Sequence, residues 1–174
     1  MIINELKFEK YISEQEIDDL VQVIAEEIIQ TYQGKELILV GVLNGAFMFV
    51  SDLVKKLTVH PEIHFIKCSS YKGTSTTGKV QLDLDLDVNL KGKHVLIVED
   101  IVDTGNTLVE IAKEFQSRGA ASLKFASLLL KPDVYDKDIP LDFIGKEIPN
   151  DFVIGYGMDL DGKGRELKAI YRTI

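Results

Sequence analysis

The stretch Val95-Leu96-Ile97-Val98-Glu99-Asp100-Ile101-Val102-Asp103-Thr104-Gly105-Asn106-Thr107-Leu108 decides how this chain is read. Its four leading apolar residues give a short buried-strand signal, and two adjacent carboxylates, Glu99 and Asp100, stand at its C-terminal end. Asp103 follows and leads into a Thr-Gly-Asn-Thr turn, after which Leu108, Ile111, Ala112 and Phe115 recur at helical spacing. Open α/β sheets bind ligands where strands end and helices begin. Helix N-termini at that edge offer free backbone N–H groups and a positive dipole end to phosphate. Carboxylates at the same edge suit a divalent cation or hydroxyl groups better than bare phosphate. Together these groups suit a phosphorylated sugar handled with Mg²⁺.

Working outward, Leu37-Ile38-Leu39-Val40-Gly41-Val42-Leu43 is a continuous apolar run, the mark of a strand buried on both faces. Asn44-Gly45-Ala46 turns from it into a helix marked by Phe47, Val50, Leu53, Val54 and Leu57. This second strand-turn-helix is a weak phosphate signal by itself and becomes a plausible second contact beside the first. Upstream, Ser13-Glu14-Gln15-Glu16 reads as a capping box. It opens a helix whose apolar face runs Ile17, Leu20, Val21, Ile24, Ile28, Tyr32 and which Gly34 stops. That helix reads as structural.

Between the two motifs, Ile63 to Cys68 is a short strand, followed by the small, polar stretch Ser69 to Lys79, a loop with the composition of an active-site lid. Gly73 to Lys79 matches the front of a phosphate-binding P-loop. Val80 replaces the required hydroxyl, and a strand pattern rather than a helix follows, so the P-loop is rejected. Val80 to Asp87 alternates strictly, predicting a half-exposed strand whose aspartates are solvated. Asp103-Thr104-Gly105 also spells the aspartic-protease triplet, but here it opens a helix in an alternating α/β chain.

Downstream, Gly119 caps the helix, and Leu123 to Leu130 is another buried strand with Lys131 at its C-terminal edge, beside the carboxylates. Asp142 to Gly145, Phe152 to Gly157 and Lys168 to Tyr171 read as further strands. The charged, glycine-rich stretch Asp159 to Glu166 reads as a turn. The 174 residues fit one domain, with no repeat, linker or low-complexity tract. A net charge of −8 argues against sequence-independent binding to nucleic acid or anionic membrane. Cys68, the single cysteine, excludes a disulfide framework, and no apolar run approaches a membrane span. A cytoplasmic location is the expectation.

The chain resembles the type I phosphoribosyltransferase family, and within it the bacterial-type hypoxanthine-guanine enzymes of purine salvage. Five segments carry the resemblance, in order. They are Val-Gly-Val-Leu-Asn-Gly-Ala, Ser-Ser-Tyr, Val-Glu-Asp-Ile-Val-Asp-Thr-Gly-Asn-Thr, Ser-Leu-Leu-Leu-Lys, and Asp-Phe-Ile-Gly-Lys-Glu-Ile-Pro-Asn-Asp-Phe-Val-Ile-Gly-Tyr-Gly-Met-Asp with Arg165 beyond. The resemblance implies a central, mostly parallel sheet flanked by helices. A small hood would come from the N- and C-terminal segments, with a lid at about 69–80. It implies Mg²⁺-dependent transfer of phosphoribose from phosphoribosyl diphosphate to a 6-oxopurine by a homodimer or homotetramer.

By that resemblance, Glu99 and Asp100 would hold the ribose hydroxyls and order the metal's water shell, and Asp103 would be the general base at purine N7. Asp103, Thr104, Gly105, Asn106 and Thr107 would cradle the 5-phosphate. Leu43, Asn44 and Gly45 would form the pyrophosphate loop, where the family often has a cis peptide, and Arg165 would bind the leaving pyrophosphate. Ser70 and Tyr71 would begin the lid. Lys131 would donate to the purine 6-oxo group, Phe152 would stack on the base, the Val153 backbone would read its edge, and Asp159 would bind a second Mg²⁺. Asn stands at 44 and 106, where the family often carries a basic residue. Without the resemblance, Phe152 and Val153 would read as core, and Asp159 and Arg165 as a solvated turn. Two alternatives stay open: a non-catalytic regulator on the same fold, and transfer to adenine, xanthine or a pyrimidine. Regulators usually lose a carboxylate or the lid, or gain a basic surface, whereas this acidic chain keeps Glu99, Asp100, Asp103 and a lid-like loop.

Overall fold

A computed structural model describes residues 1–70, 80–83 and 88–174. The elements run β1 (Ile2–Ile3), β2 (Leu6–Ile12), α1 (Glu14–Tyr32), β3 (Leu37–Leu43), α2 (Phe47–Lys56), β4 (Glu62–Ser70) and β5 (Val80–Asp83). They continue with β6 (His94–Val102), α3 (Asn106–Ser117), β7 (Ser122–Leu130), β8 (Phe143–Glu147), β9 (Val153–Ile154) and β10 (Ile170–Thr173). The main sheet has the order β5-β4-β3-β6-β7-β8 and is parallel except for β5, which pairs antiparallel with β4.

Both faces of this sheet are covered, which is why its central strands are apolar throughout. The pleat sends alternate residues to opposite faces. Leu37 and Leu39 of β3 and Leu96 and Val98 of β6 pack under α1 and α2, in a core with Ile24, Ile28, Phe49 and Leu53. Ile38, Val40, Val95 and Ile97 point the other way and pack with Leu108, Ile111 and Phe115 of α3. The capping box holds as read: the Ser13 Oγ accepts from the Glu16 N–H, and the Ser13 N–H donates to Glu16 Oε2 at 2.9 Å.

A second sheet, β1-β2-β10-β9, is antiparallel and joins the N-terminal segment to the C-terminal one as a hood. Here the structure adds to the sequence reading. Strand β2 carries only Phe8 and Ile12 as buried residues, four apart, so it lacks the two-residue alternation that signals a strand. Its partner β10 lies at the far end of the chain. The predicted strand Phe152 to Gly157 is shorter, Val153–Ile154, because Gly155, Tyr156 and Gly157 all take positive φ and turn the chain away. The last strand begins at Ile170 rather than Lys168. Of Val80 to Asp87, residues 80–83 form β5, and 84–87 lie outside the described residues, as does the P-loop-like run before Val80. Among the described residues no helix is long and apolar enough to cross a membrane.

Ile97, fully buried at the centre of the sheet, tests this packing. Ile97→Val should cost about 1 kcal/mol in urea unfolding. Val23→Ala, at an exposed position on α1, should stay within about 0.5 kcal/mol of wild type.

Candidate active site

The strand order reverses between β3 and β6. From β3 the chain moves outward to β4 and β5, and from β6 it moves the other way to β7 and β8. The loop after β3 runs to α2 on one face, and the loop after β6 runs to α3 on the other. The two loops diverge, and a crevice opens between them at the C-terminal edge.

Gly45 lies in that crevice against Asp100. A Cβ at Gly45 would sit 1.8 Å from Asp100 Oδ2, and a Cβ at Gly157, from the hood, would sit 1.9 Å from Gly45 O. The close approach of the three segments therefore requires glycine at both positions. The Leu43–Asn44 peptide is cis, and Asn44 is exposed.

Glu99 is buried, with 8% of its surface exposed, and Asp100 is half-buried beside it. Burial, and then the neighbouring Asp100 charge, push Glu99 well above the ordinary glutamate range. Burial also raises Asp100, an effect partly offset by a hydrogen bond with the backbone of Ile101 and by the Arg165 charge. Two raised, adjacent carboxylates favour any cation that can share their charge. Among the described residues no group of three or more His, Cys, Asp and Glu side chains is arranged as a metal cage. Mg²⁺ needs none, since it is held through one or two carboxylates together with substrate phosphates and water.

Beyond the pair, Asp103, Thr104, Gly105, Asn106 and Thr107 line a concavity of about 350 Å³ at the start of α3. Gly105, at φ 74, is the N-cap residue of α3, and no side chain caps the helix. Its first-turn N–H groups are thus left for an anion. A Cβ at Gly105 would meet the Tyr135 ring at 2.4 Å, so the loop is backed by the segment after β7.

The register Val102↔Leu130 between β6 and β7 brings the next residues, Asp103 and Lys131, side by side. The Lys131 Nζ donates to Asp103 Oδ2 at 3.1 Å and to Asn150 Oδ1 at 3.3 Å. The lysine is buried (7% exposed), whereas the Asp103 carboxylate is 49% exposed. Phe152, Val153 and Asp159 join Asp100, Asp103 and Lys131 around one cleft of about 530 Å³. Phe152 is 42% exposed, not core, and its ring is braced by Phe8 of β2 at 6.4 Å between centroids. Asp159 and Arg165 pair at 2.6 Å, and the Arg165 Nη1 donates to Gly157 O at 2.6 Å, so this turn is a built feature rather than a solvated one. Ser70 ends β4, and Tyr71 lies outside the described residues.

Of the proposed residues, the structure gathers Asp100, Asp103, Lys131, Phe152, Val153 and Asp159 around one cleft, sets Gly45 against Asp100 and pairs Arg165 with Asp159. Asn150 and Met158 escaped the sequence reading. Asn150 steadies Lys131 across a long sequence gap, and Met158 lines the cleft from a position with no polar signal.

The phosphoribosyl transferase domain family matches residues 9–161. A hypoxanthine-guanine phosphoribosyltransferase of Staphylococcus aureus is 43% identical over 168 residues, covering 96% of this chain and 93% of that protein. Its Staphylococcus epidermidis counterpart is 42% identical, covering 91% of this chain and 89% of that protein. A crystal structure of a hypoxanthine-guanine phosphoribosyltransferase from Bacillus anthracis superposes with a TM-score of 0.90 at 38% identity, covering 98% of this chain and all of that one.

Burial of Glu99 has a pH consequence with a definite sign. A carboxyl whose folded pKa is raised stabilises the fold below its unfolded pKa and loses that contribution as pH rises through the folded value. Glu99→Gln removes the charged form. The variant should therefore melt above wild type at pH 7 to 8, and the gap should close as the pH falls to about 4, near the unfolded glutamate pKa. Thermal unfolding across this range, without added metal, checks it.

Proposed function

The chain belongs to the phosphoribosyl transferase family, and from that premise we propose a purine-salvage activity. The enzyme transfers the 5-phosphoribosyl group of phosphoribosyl diphosphate to hypoxanthine and guanine, giving IMP or GMP and pyrophosphate. The observation that carries the choice of base is the Lys131–Asp103 pair at 3.1 Å. A 6-oxopurine places its O6 acceptor next to N7. An ammonium and a carboxylate side by side match those two positions, one donating to O6 and the other accepting from N7–H. Adenine would instead set an amino donor against the ammonium, donor facing donor, with no acceptor gained.

In the reaction the C1–O bond to pyrophosphate breaks, the leaving group keeps the electron pair, and N9 of the purine bonds to C1. Asp103 takes the N7 proton as general base. Glu99 and Asp100 accept hydrogen bonds from the ribose hydroxyls and favour positive character at C1 as its bond loosens. Asp103, Thr104, Gly105, Asn106 and Thr107 hold the 5-phosphate through backbone N–H groups and hydroxyls. Leu43, Asn44, Gly45 and Arg165 hold the pyrophosphate. Phe152 stacks on the purine, and the Val153 backbone reads its edge. Glu99, Asp100 and Asp159 are the residues that would hold Mg²⁺, which when bound supplies charge neutralisation at the leaving pyrophosphate.

The whole span 1–174 acts as one phosphoribosyltransferase domain in the cytoplasm, with a lid at about 69–80 begun by Ser70 and Tyr71. The pairing of Ser70 with Val80 supports the lid, since it holds the two ends of the segment together at the end of β4. The chain works as a homodimer or homotetramer. Large apolar side chains left 41–45% exposed at Phe47, Ile63 and Phe65 support association between copies.

A spectrophotometric assay with phosphoribosyl diphosphate, Mg²⁺ and hypoxanthine, guanine, xanthine or adenine tests the reaction. Hypoxanthine and guanine should turn over. Asp103→Asn should lose about a hundredfold or more in kcat, as expected for a missing general base. Lys131→Met should raise KM for hypoxanthine and narrow its advantage over adenine. Binding of phosphoribosyl diphosphate without turnover of any base would overturn the reading in favour of a regulator. Light scattering after size exclusion should give a multiple of 19.5 kDa, reduced toward a single copy by Phe65→Asp.

A further inference from the structure

We propose that Tyr156 and Asp52 are positioning residues for pyrophosphate, their hydrogen bond clamping the hood turn Gly155-Tyr156-Gly157 to α2 and so placing Gly45 and Arg165. This rests on the pyrophosphate-transfer reading above and assigns residues to it that touch no reactant. The Tyr156 hydroxyl donates to Asp52 Oδ2 at 2.7 Å. Asp52 lies on α2, the helix that begins directly after the Leu43-Asn44-Gly45 loop, so fixing the helix fixes the loop's far end. Tyr156 lies in the segment whose next residue, Gly157, meets that loop.

The path from the bond to the site is short. Tyr156 holds φ 50 between Gly155 at 96 and Gly157 at 100, a left-handed run that a bulky residue adopts only where its surroundings hold it. Two things hold it: the Tyr156 N–H donates to Leu167 O at 2.7 Å, and the buried ring carries the bond to Asp52. Gly157 comes next. Its N–H donates to Arg165 O at 3.0 Å, its carbonyl accepts from Arg165 Nη1 at 2.6 Å, and its missing Cβ lets Gly45 O approach. One rigid turn therefore sets both the guanidinium and the glycine of the pyrophosphate loop.

Asp52 is a strong acceptor for this purpose. Burial acts to raise its pKa, but hydrogen bonds from Lys55, at 2.5 Å, and from Tyr156 outweigh burial and keep it below the ordinary range. A phenol on a carboxylate is a charge-assisted bond, stronger than a neutral one. Both side chains line a separate cleft with Ile17, Met48 and Lys168 rather than the one around Asp103 and Lys131. Their effect must pass through the backbone.

The test compares wild type with Tyr156→Phe, Asp52→Ala, Asp52→Asn and the Tyr156→Phe/Asp52→Ala double variant. It uses steady-state KM values and calorimetric titration with pyrophosphate and Mg²⁺. Tyr156→Phe and Asp52→Ala should each weaken pyrophosphate binding and raise KM for phosphoribosyl diphosphate about tenfold, the size of one lost hydrogen bond to a charged group. KM for hypoxanthine should rise clearly less, because Lys131, Asp103 and Phe152 on the base side are held by contacts that do not pass through the turn. The double variant should be no worse than either single one. Asp52→Asn keeps an acceptor and should recover most of what Asp52→Ala loses. Unchanged pyrophosphate affinity in Tyr156→Phe would overturn the proposal, as would an equal loss for both substrates. Pyrophosphate titration needs no turnover. A wild type that turns over no base would therefore sink the functional reading while the titration still decides the clamp.

Discussion

The parallel pairing of β3 with β6, from Leu37↔His94 to Gly41↔Val98, is the constraint on which the site depends. These strands sit side by side, but their crossovers leave to opposite faces, so the two loops that follow them cannot fill the space between. Whatever residues occupy those loops are forced to the rim of one crevice. Here they are Gly45 on one side and the turn from Asp103 to Gly105 on the other, joined by Glu99 and Asp100 on the part of β6 that runs beyond its pairing with β3. The next pairing outward, β6 with β7, adds Lys131 to the same rim through its register.

Placing carboxylates at such a junction works against the stability of the empty fold. Glu99 is buried next to another acid and is pushed well away from its ordinary protonation range. Glycine at 45 keeps the loop against Asp100, where any side chain would displace it. The hydrophobic layers on both sheet faces offset these costs, and under the proposed function the two carboxylates stand where hydroxyls and a divalent cation would be held. A net charge of −8 does not conflict with the proposed phosphate ligands, because the groups proposed to hold them are local: uncapped backbone N–H groups at the start of α3 and one arginine.

The hood shows a different logic. It is built from the two ends of the described chain, and its sheet joins β2 to β10 before β9 delivers the turn at Tyr156. Phe8 braces Phe152 from that sheet, so the N-terminal strand supports the surface proposed to stack on the base. The hood thus reaches two parts of the proposed site, with Phe152 on the side proposed for the purine and Gly157 and Arg165 on the side proposed for pyrophosphate.

Much of this was legible in the residues. Apolar runs at 37–43 and 95–98, the helical stripe of Leu108 to Phe115 and the Ser13 capping box each depend on local periodicity and side-chain reach, so they specify strands and helices without knowledge of distant partners. The motif around Glu99 to Thr107 carried its chemistry in its order. Local pattern could not supply what depends on pairing across long sequence gaps. Strand β2 has no alternation of its own and exists as a strand because β10 pairs with it. Asn150 becomes a partner of Lys131, and Asp52 of Tyr156, only after the sheet and hood are assembled. The sequence by itself determined the helices, the central strands of the main sheet and the chemical types at its edge, because those follow from short-range sterics and burial. Tertiary structure alone decided which of those groups meet, since that depends on strand order and register, which no local stretch encodes.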